Sequence, residues 1–210
     1  PINNNDYNLK VAHQGTKKKI LNLGIVNAQV YAKQQQTSWQ KDELGTTKAL
    51  TQLQKGLRLP KIPKRIEVYD ISNIQGIYAV GSMIVFTDGQ PDKSQYRKFR
   101  IKTVKQADDP AMMKEVLGRR IQHKEWAKPD LIILDGGKTQ LNAVLSIPRM
   151  TKSIIFALAK KHEIIFTNDK KQLMFKKNTP AFLLIQQMRN EAHRFAISYY
   201  RQKHRKDMLK

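Results

Sequence analysis

The chain has 210 residues, 40% of them hydrophobic, with 39 lysines and arginines against 17 acids and a formal charge of +22. That hydrophobic share suits an ordinary core, while the charge points to a polyanionic partner, most simply nucleic acid; a merely solubilising surface carries a net charge of about 2–8. There is no cysteine, which removes disulfides, zinc knuckles, iron–sulfur clusters and thiol nucleophiles together and agrees with a reducing cytoplasm.

Length alone allows one large domain or a domain with an appendage. No apolar run approaches the roughly 18–20 residues that cross a bilayer, so no membrane association is expected. No secretory leader is recognised, and the chain opens with Pro1 rather than Met, so it reads as a piece of a longer or processed protein.

Residues 1–15 are polar and rich in Asn, an irregular lead-in. Lys17 to about Gln36 carries an apolar stripe (Ile20, Leu21, Leu23, Val26, Val30) and is predicted helical, although Gly24 weakens it. A polar break follows, and then a short helix over Thr46–Leu57. Pro60 and Pro63 end helical structure and hand over to strands.

From residue 64 the pattern alternates between strand and helix. Strands are predicted at Arg65–Ser72, at Ala79–Thr87 with an Asp88-Gly89 turn, and at Ser94–Lys102. A helix starts at Pro110 with Asp109 as its N-cap and runs to about Gln122. A strand at Asp130–Leu134, a helix at Lys138–Leu145 and a strand at Ser153–Leu158 follow. Both strands are apolar enough to be covered on two faces. Ile164–Phe166 and Leu173–Phe175 form a small hairpin, and a closing helix runs from Pro180 to about Arg205. Three antiparallel-type strands, then helix, strand, helix, strand and a closing helix, is the layout of the ribonuclease H-like fold: α/β, with a mixed five-stranded sheet flanked by helices.

Three acids stand where apolar or capping residues belong. Asp70 interrupts the strand Ile66–Ile71, Asp109 opens a helix, and Asp135 ends Leu131-Ile-Ile-Leu134. Each alone has a plain explanation: a salt-bridged core acid, an N-cap and a turn residue. Together they would meet at one edge of an α/β sheet. Clustered carboxylates are hard oxygen ligands for Mg²⁺ or Mn²⁺ and suit metal-assisted phosphodiester hydrolysis. Gly136-Gly137-Lys138-Thr139 is not a P-loop, because Ile132 stands where the Walker pattern needs glycine. On the closing helix Arg189 and His193 are four apart and share a face. His193 is flanked by arginines, and Tyr199 to Lys206 makes a basic, aromatic end suited to a nucleic-acid backbone.

Read together, these stretches resemble a family. Ile66-Glu-Val-Tyr-Asp-Ile-Ser-Asn-Ile-Gln-Gly76, Ser82–Phe86 with Tyr96–Phe99, Asp108-Asp109 with Met113–Leu117 and Arg119-Arg120, Pro129–Lys138 with Gln140–Asn142, and Glu191-Ala-His-Arg-Phe-Ala196 are similar to the C-terminal half of the UvrC family, the nucleases of bacterial nucleotide excision repair. The match runs in order over roughly residues 15–206. The resemblance implies a lead-in and helical linker over 1–63 and a ribonuclease H-like endonuclease domain over 64–210. Its implied activity is incision on the 5′ side of a lesion in damaged double-stranded DNA, with Mg²⁺ or Mn²⁺ as cofactor. Its catalytic acids fall on Asp70, Asp109 and Asp135, all candidate metal ligands, and its functional histidine on His193. Lys138, Arg119, Arg120, Arg189, Arg194 and Arg201 are the candidate DNA contacts. The implied protein partner is the excision-repair helicase UvrB, contacted mostly through regions that the resemblance does not cover here. The same holds for the family's GIY-YIG nuclease and tandem helix-hairpin-helix segments, so nicking with low DNA affinity and little lesion specificity is expected. Two positions depart from the family: Asn73 stands for a usual His and Asn190 for a usual Asp. The alternatives are a non-catalytic basic nucleic-acid-binding module on this fold, or another ribonuclease H-like nuclease of the endonuclease V or junction-resolving kind.

Overall fold

The structure, a computed structural model, describes residues 43–74, 78–104, 106–159, 164–169 and 171–207, for 43, 44, 73, 74, 78 and 198–207 the backbone only. The polar lead-in and the helix predicted over Lys17–Gln36 lie outside the described residues.

Helix α1 spans Glu43–Leu57. Ala49, Leu50, Leu53 and Leu57 recur at helical spacing and all are buried. The resemblance assigns this helix to a linker ending at residue 63, but the compact unit begins at Glu43, and Gln52 Oε1 accepts a hydrogen bond from Ala181 N on the closing helix.

Strand β1 (Arg65–Ile74) runs antiparallel to β2 (Tyr78–Thr87). Asp88 and Gly89 both adopt positive φ, 47° and 77°, the left-handed pair that joins tightly twisted strands. The turn returns into the two-residue strand β3, Gln90–Pro91. The strand predicted over Ser94–Lys102 is shorter than expected. Asp92 Oδ1 accepts from Ser94 Oγ at 2.6 Å, and a single 3₁₀ turn, Lys93–Gln95, forms instead. Strand β4 then occupies only Arg97–Arg100.

Helix α2 covers Asp109–Arg120. Its N-cap is Asp108, whose Oδ1 accepts from Ala111 N at 3.0 Å. The cap thus falls one residue before the Asp109 expected from the sequence, and Asp109 is left exposed in the first turn. Strand β5 (Leu131–Asp135) and helix α3 (Lys138–Leu145) follow. A 3₁₀ turn at Pro148–Met150 leads to β6 (Ile155–Leu158). The short strands β7 (Ile165–Phe166) and β8 (Gln172–Leu173) precede helix α4, Pro180–Asp207.

The sheet has eight strands rather than the five predicted. The difference lies in β3, β7 and β8, two residues each and legible only as turns and a hairpin. The central order is β4-β2-β1-β5-β6, antiparallel among the first three and parallel from β1 to β6. That is the ribonuclease H-like arrangement. One sheet face carries Tyr69, Met83, Val85, Phe99, Ile132 and Leu134 against Met113, Val116 and Leu117 of α2 and Leu141 and Val144 of α3. The other face meets α1 and α4: Leu53, Leu57 and Ile185 close on Ile133, Phe156 and Leu158. Among the described residues no helix is long and apolar enough to cross a membrane.

Candidate active site

Asp70 and Asp135 are placed by strand register. Parallel pairing of β1 with β5 reaches Tyr69 opposite Leu134, so one further step sets Asp70 beside Asp135, one strand spacing of about 4.8 Å away. Both side chains belong to the sheet face that carries α4. Both residues are buried, 3% and 8% exposed. Two buried carboxylates in adjacent register raise each other's free energy unless positive charge offsets them.

The third acid enters from the loop before α2. Asp109 and Asp135 line one cleft of about 250 Å³ together with Ile71, Met113, Gly136, Gly137 and Gln140. The β5–α3 turn that forms its floor is shaped by Gln140. The Gln140 Oε1 atom accepts from Gly137 N at 2.8 Å, and a Cβ on Gly136 would stand 2.9 Å from the Gln140 side chain. The three acids are thus brought to one strand edge, Asp109 and Asp135 in the cleft and Asp70 on the next strand. They are not drawn into a closed ligand cluster: among the described residues no group of three acid, histidine or cysteine side chains is set to hold a metal ion. The donor chemistry fits a hard divalent cation, since carboxylate oxygens are the ligands such an ion takes and Asp109 and Asp135 open on one cleft. Asp70, Asp135 and Asp109 would hold it.

His193 projects from α4 onto this edge, its Nδ1 3.9 Å from Asp70 Oδ2. The predicted basic contacts divide. Lys138 is exposed in the first turn of α3, directly after the cleft glycines. Arg189 lies one turn before His193 on the same helix. Arg119 is half-buried over the Phe99 ring and donates to Arg100 O at 2.7 Å. Arg194 is held by a two-point ion pair with Glu191, 2.6 Å in each arm. The Arg201 side chain and that of Asn73 lie outside the described residues, and Asn190 is exposed.

Arg120 is a correction. Expected at the DNA, it is 6% exposed and serves the core. It donates to Glu67 at 2.9 and 3.1 Å and to Ala127 O at 2.7 Å. Glu67, wholly buried on β1, also takes Arg65 at 2.9 Å and the Tyr69 hydroxyl at 2.7 Å. Burial and the neighbouring Glu67 carboxylate push the Tyr69 phenol well above its ordinary range. This four-residue knot escapes a reading of the sequence, where Glu67 has the look of a polar position in an alternating strand.

Residues 54–197 match the UvrC RNAse H endonuclease domain. The chain is 43% identical over 199 residues to the UvrABC system protein C of Dehalococcoides mccartyi, covering 89% of this chain and 33% of the relative. It is 40% identical over 207 residues to that of Methanococcus maripaludis, covering 96% and 37%. It therefore spans about a third of the length of these relatives. Among solved structures, a Ciona intestinalis endonuclease V in complex with inosine-containing DNA is similar over 47% of this chain and 46% of that one, with 17% identity and a TM-score of 0.37. On its sequence match, the chain belongs to the UvrC RNase H endonuclease domain family.

Proposed function

We propose that this chain is the metal-dependent endonuclease module of a bacterial-type nucleotide excision repair system, hydrolysing a DNA phosphodiester on the 5′ side of a lesion in the cytoplasm. The observation that carries the reading is the β1–β5 register, which one step further brings buried Asp70 beside buried Asp135, itself lining a cleft with Asp109. A net charge of +22 supplies the attraction to DNA that three acids alone would oppose.

In this reading Asp70 and Asp135 hold Mg²⁺ or Mn²⁺, with Asp109 as a third ligand or as the carboxylate that orients the attacking water. A bound ion would supply water activation and would neutralise charge building on the phosphate. His193, 3.9 Å from Asp70, hydrogen-bonds the water or a phosphate oxygen through its ring. Lys138 and Arg189 hold the flanking backbone as positioning charges. The repair helicase UvrB is the protein partner, engaged mostly through regions outside these residues.

Nicking of supercoiled plasmid tests the reading, with Mn²⁺, Mg²⁺ or EDTA and with Asp70→Asn alongside. Nicking that needs metal and is lost in the variant supports it. Metal-independent nicking, or equal nicking by the variant, overturns it. A lesion-bearing duplex with the upstream repair proteins then reads out the side of incision.

A further inference from the structure

We propose that Lys98 is a phosphate-holding residue of this site, its ammonium gripping a non-bridging oxygen of the scissile DNA phosphate beside Asp70. The inference rests on the nuclease reading above and adds a residue that reading does not use.

Register places it. Lys98 pairs with Ser82 across β4 and β2, and Ser82 pairs with Asp70 across β2 and β1. Lys98, Ser82, Asp70 and Asp135 therefore form one row across four strands, on one sheet face. Ser82 Oγ donates to Asp70 O at 3.3 Å and fills the middle of the row with a small polar group. Two strand spacings, about 10 Å, separate the Lys98 and Asp70 backbones. A lysine stem spans most of that distance toward the strand edge where Asp70 lies.

Side-chain contacts agree with the register. Phe99 points into the core beneath α2, and Arg97 lies over the Trp126 ring at 5.3 Å. Lys98, between them, points to the other face, where its Nζ lies 4.6 Å from the centre of the Phe195 ring. Tyr96 meets that ring edge-on at 5.0 Å. Phe195 and His193 belong to the same helix, α4, which meets the sheet beside both Lys98 and Asp70. The aromatic face stabilises the cation without neutralising it. Burial also lowers the Lys98 pKa, the mark of an ammonium that has already lost part of its water and gives up less on meeting a phosphate. The chemistry needs such a group, because carboxylates repel the phosphate they act on.

The test uses the whole chain as Lys98→Met and Lys98→Arg, with Arg149→Ala as the charge-matched control on the exposed turn at the far end of the strands. Single-turnover nicking at saturating plasmid falls about a hundredfold in Lys98→Met, recovers most of its rate in Lys98→Arg, and stays within about twofold in Arg149→Ala. Lysine acetylation read by mass spectrometry, in EDTA with and without a short duplex, gives a second readout free of turnover. Duplex DNA protects Lys98 and leaves Lys152 modified. Wild-type-like nicking by Lys98→Met, or equal acetylation of Lys98 with and without DNA, overturns the assignment and leaves the nuclease reading standing. If no protein nicks under any metal, the nuclease reading is what fails, and the acetylation result still decides whether Lys98 meets the phosphate backbone.

Discussion

Two acids on β1, three residues apart, occupy opposite faces of the sheet and show what a buried carboxylate can be for. Glu67 is wholly buried and met by two guanidiniums and a phenol. Asp70 is nearly as buried, but its register neighbour is another acid, and an imidazole stands at 3.9 Å. Burial is common to both. The surroundings differ: one acid closes an internal charge balance, and the other joins a like charge at an open strand edge.

The comparison breaks most sharply under neutral substitution. Asp70→Asn removes one of two adjacent buried charges. Nicking is expected to fall about a thousandfold, several kcal/mol of transition-state stabilisation. The melting temperature is expected to stay at or above the parent value, since like-charge repulsion is relieved. Glu67→Gln should do the reverse. It strands Arg65 and Arg120 in the core and costs about 3–5 kcal/mol, roughly 10 °C in melting temperature. Any folded fraction keeps its nicking rate. Thermal melts beside plasmid nicking check both at once, and equal stability losses in the two variants would abolish the distinction.

The same contrast explains what can be read without a structure. Asp70 and Asp135 stand out because each breaks an apolar run in β1 or β5. Glu67 breaks the same run, yet alternation gives it the look of a solvent-facing position. Its partner Arg120 lies 53 positions away on a helix, a pairing no local pattern carries. Without that partner in view, the resemblance sends Arg120 to the DNA. Strand and helix order is legible from Val, Ile and Leu runs and from the Asp88-Gly89 turn. Two things are not. Asp92 diverts the chain into a 3₁₀ turn through a side-chain bond, and α1 belongs with the sheet through contacts to a helix more than a hundred residues later.

Asp108 and Asp109 repeat the contrast at smaller scale, in adjacent residues. Asp108 caps α2 and serves the fold, whereas Asp109 lines the cleft with Asp135. Asp108→Ala is expected to lower stability by about 1 kcal/mol and to spare nicking. Asp109→Ala is expected to melt like the parent and lose most nicking. Urea denaturation midpoints separate the pair. A stability loss in Asp109→Ala matching that of Asp108→Ala would return Asp109 to a capping role.

The smallest expected effect concerns how α4 is tied to the sheet edge that Lys98 shares. Glu191 accepts from Tyr96 at 3.1 Å and is clamped by Arg194. Burial opposes ionisation there, but the Arg194 and Tyr96 hydrogen bonds win and hold the Glu191 carboxyl below its ordinary value. A depressed folded-state pKa contributes stability above the unfolded value, about 4.3, and loses it as pH falls through the folded one. Glu191→Gln should therefore be slightly less stable than the parent at pH 7, by at most about 1 kcal/mol because the Arg194 side is exposed. The two proteins should converge as pH falls below the usual carboxylate range. Melting curves from pH 7 down to about 3 test the sign. A gap that widens in acid would mean that Glu191 is protonated in the fold, and that its carboxylate does not tie α4 to the sheet edge.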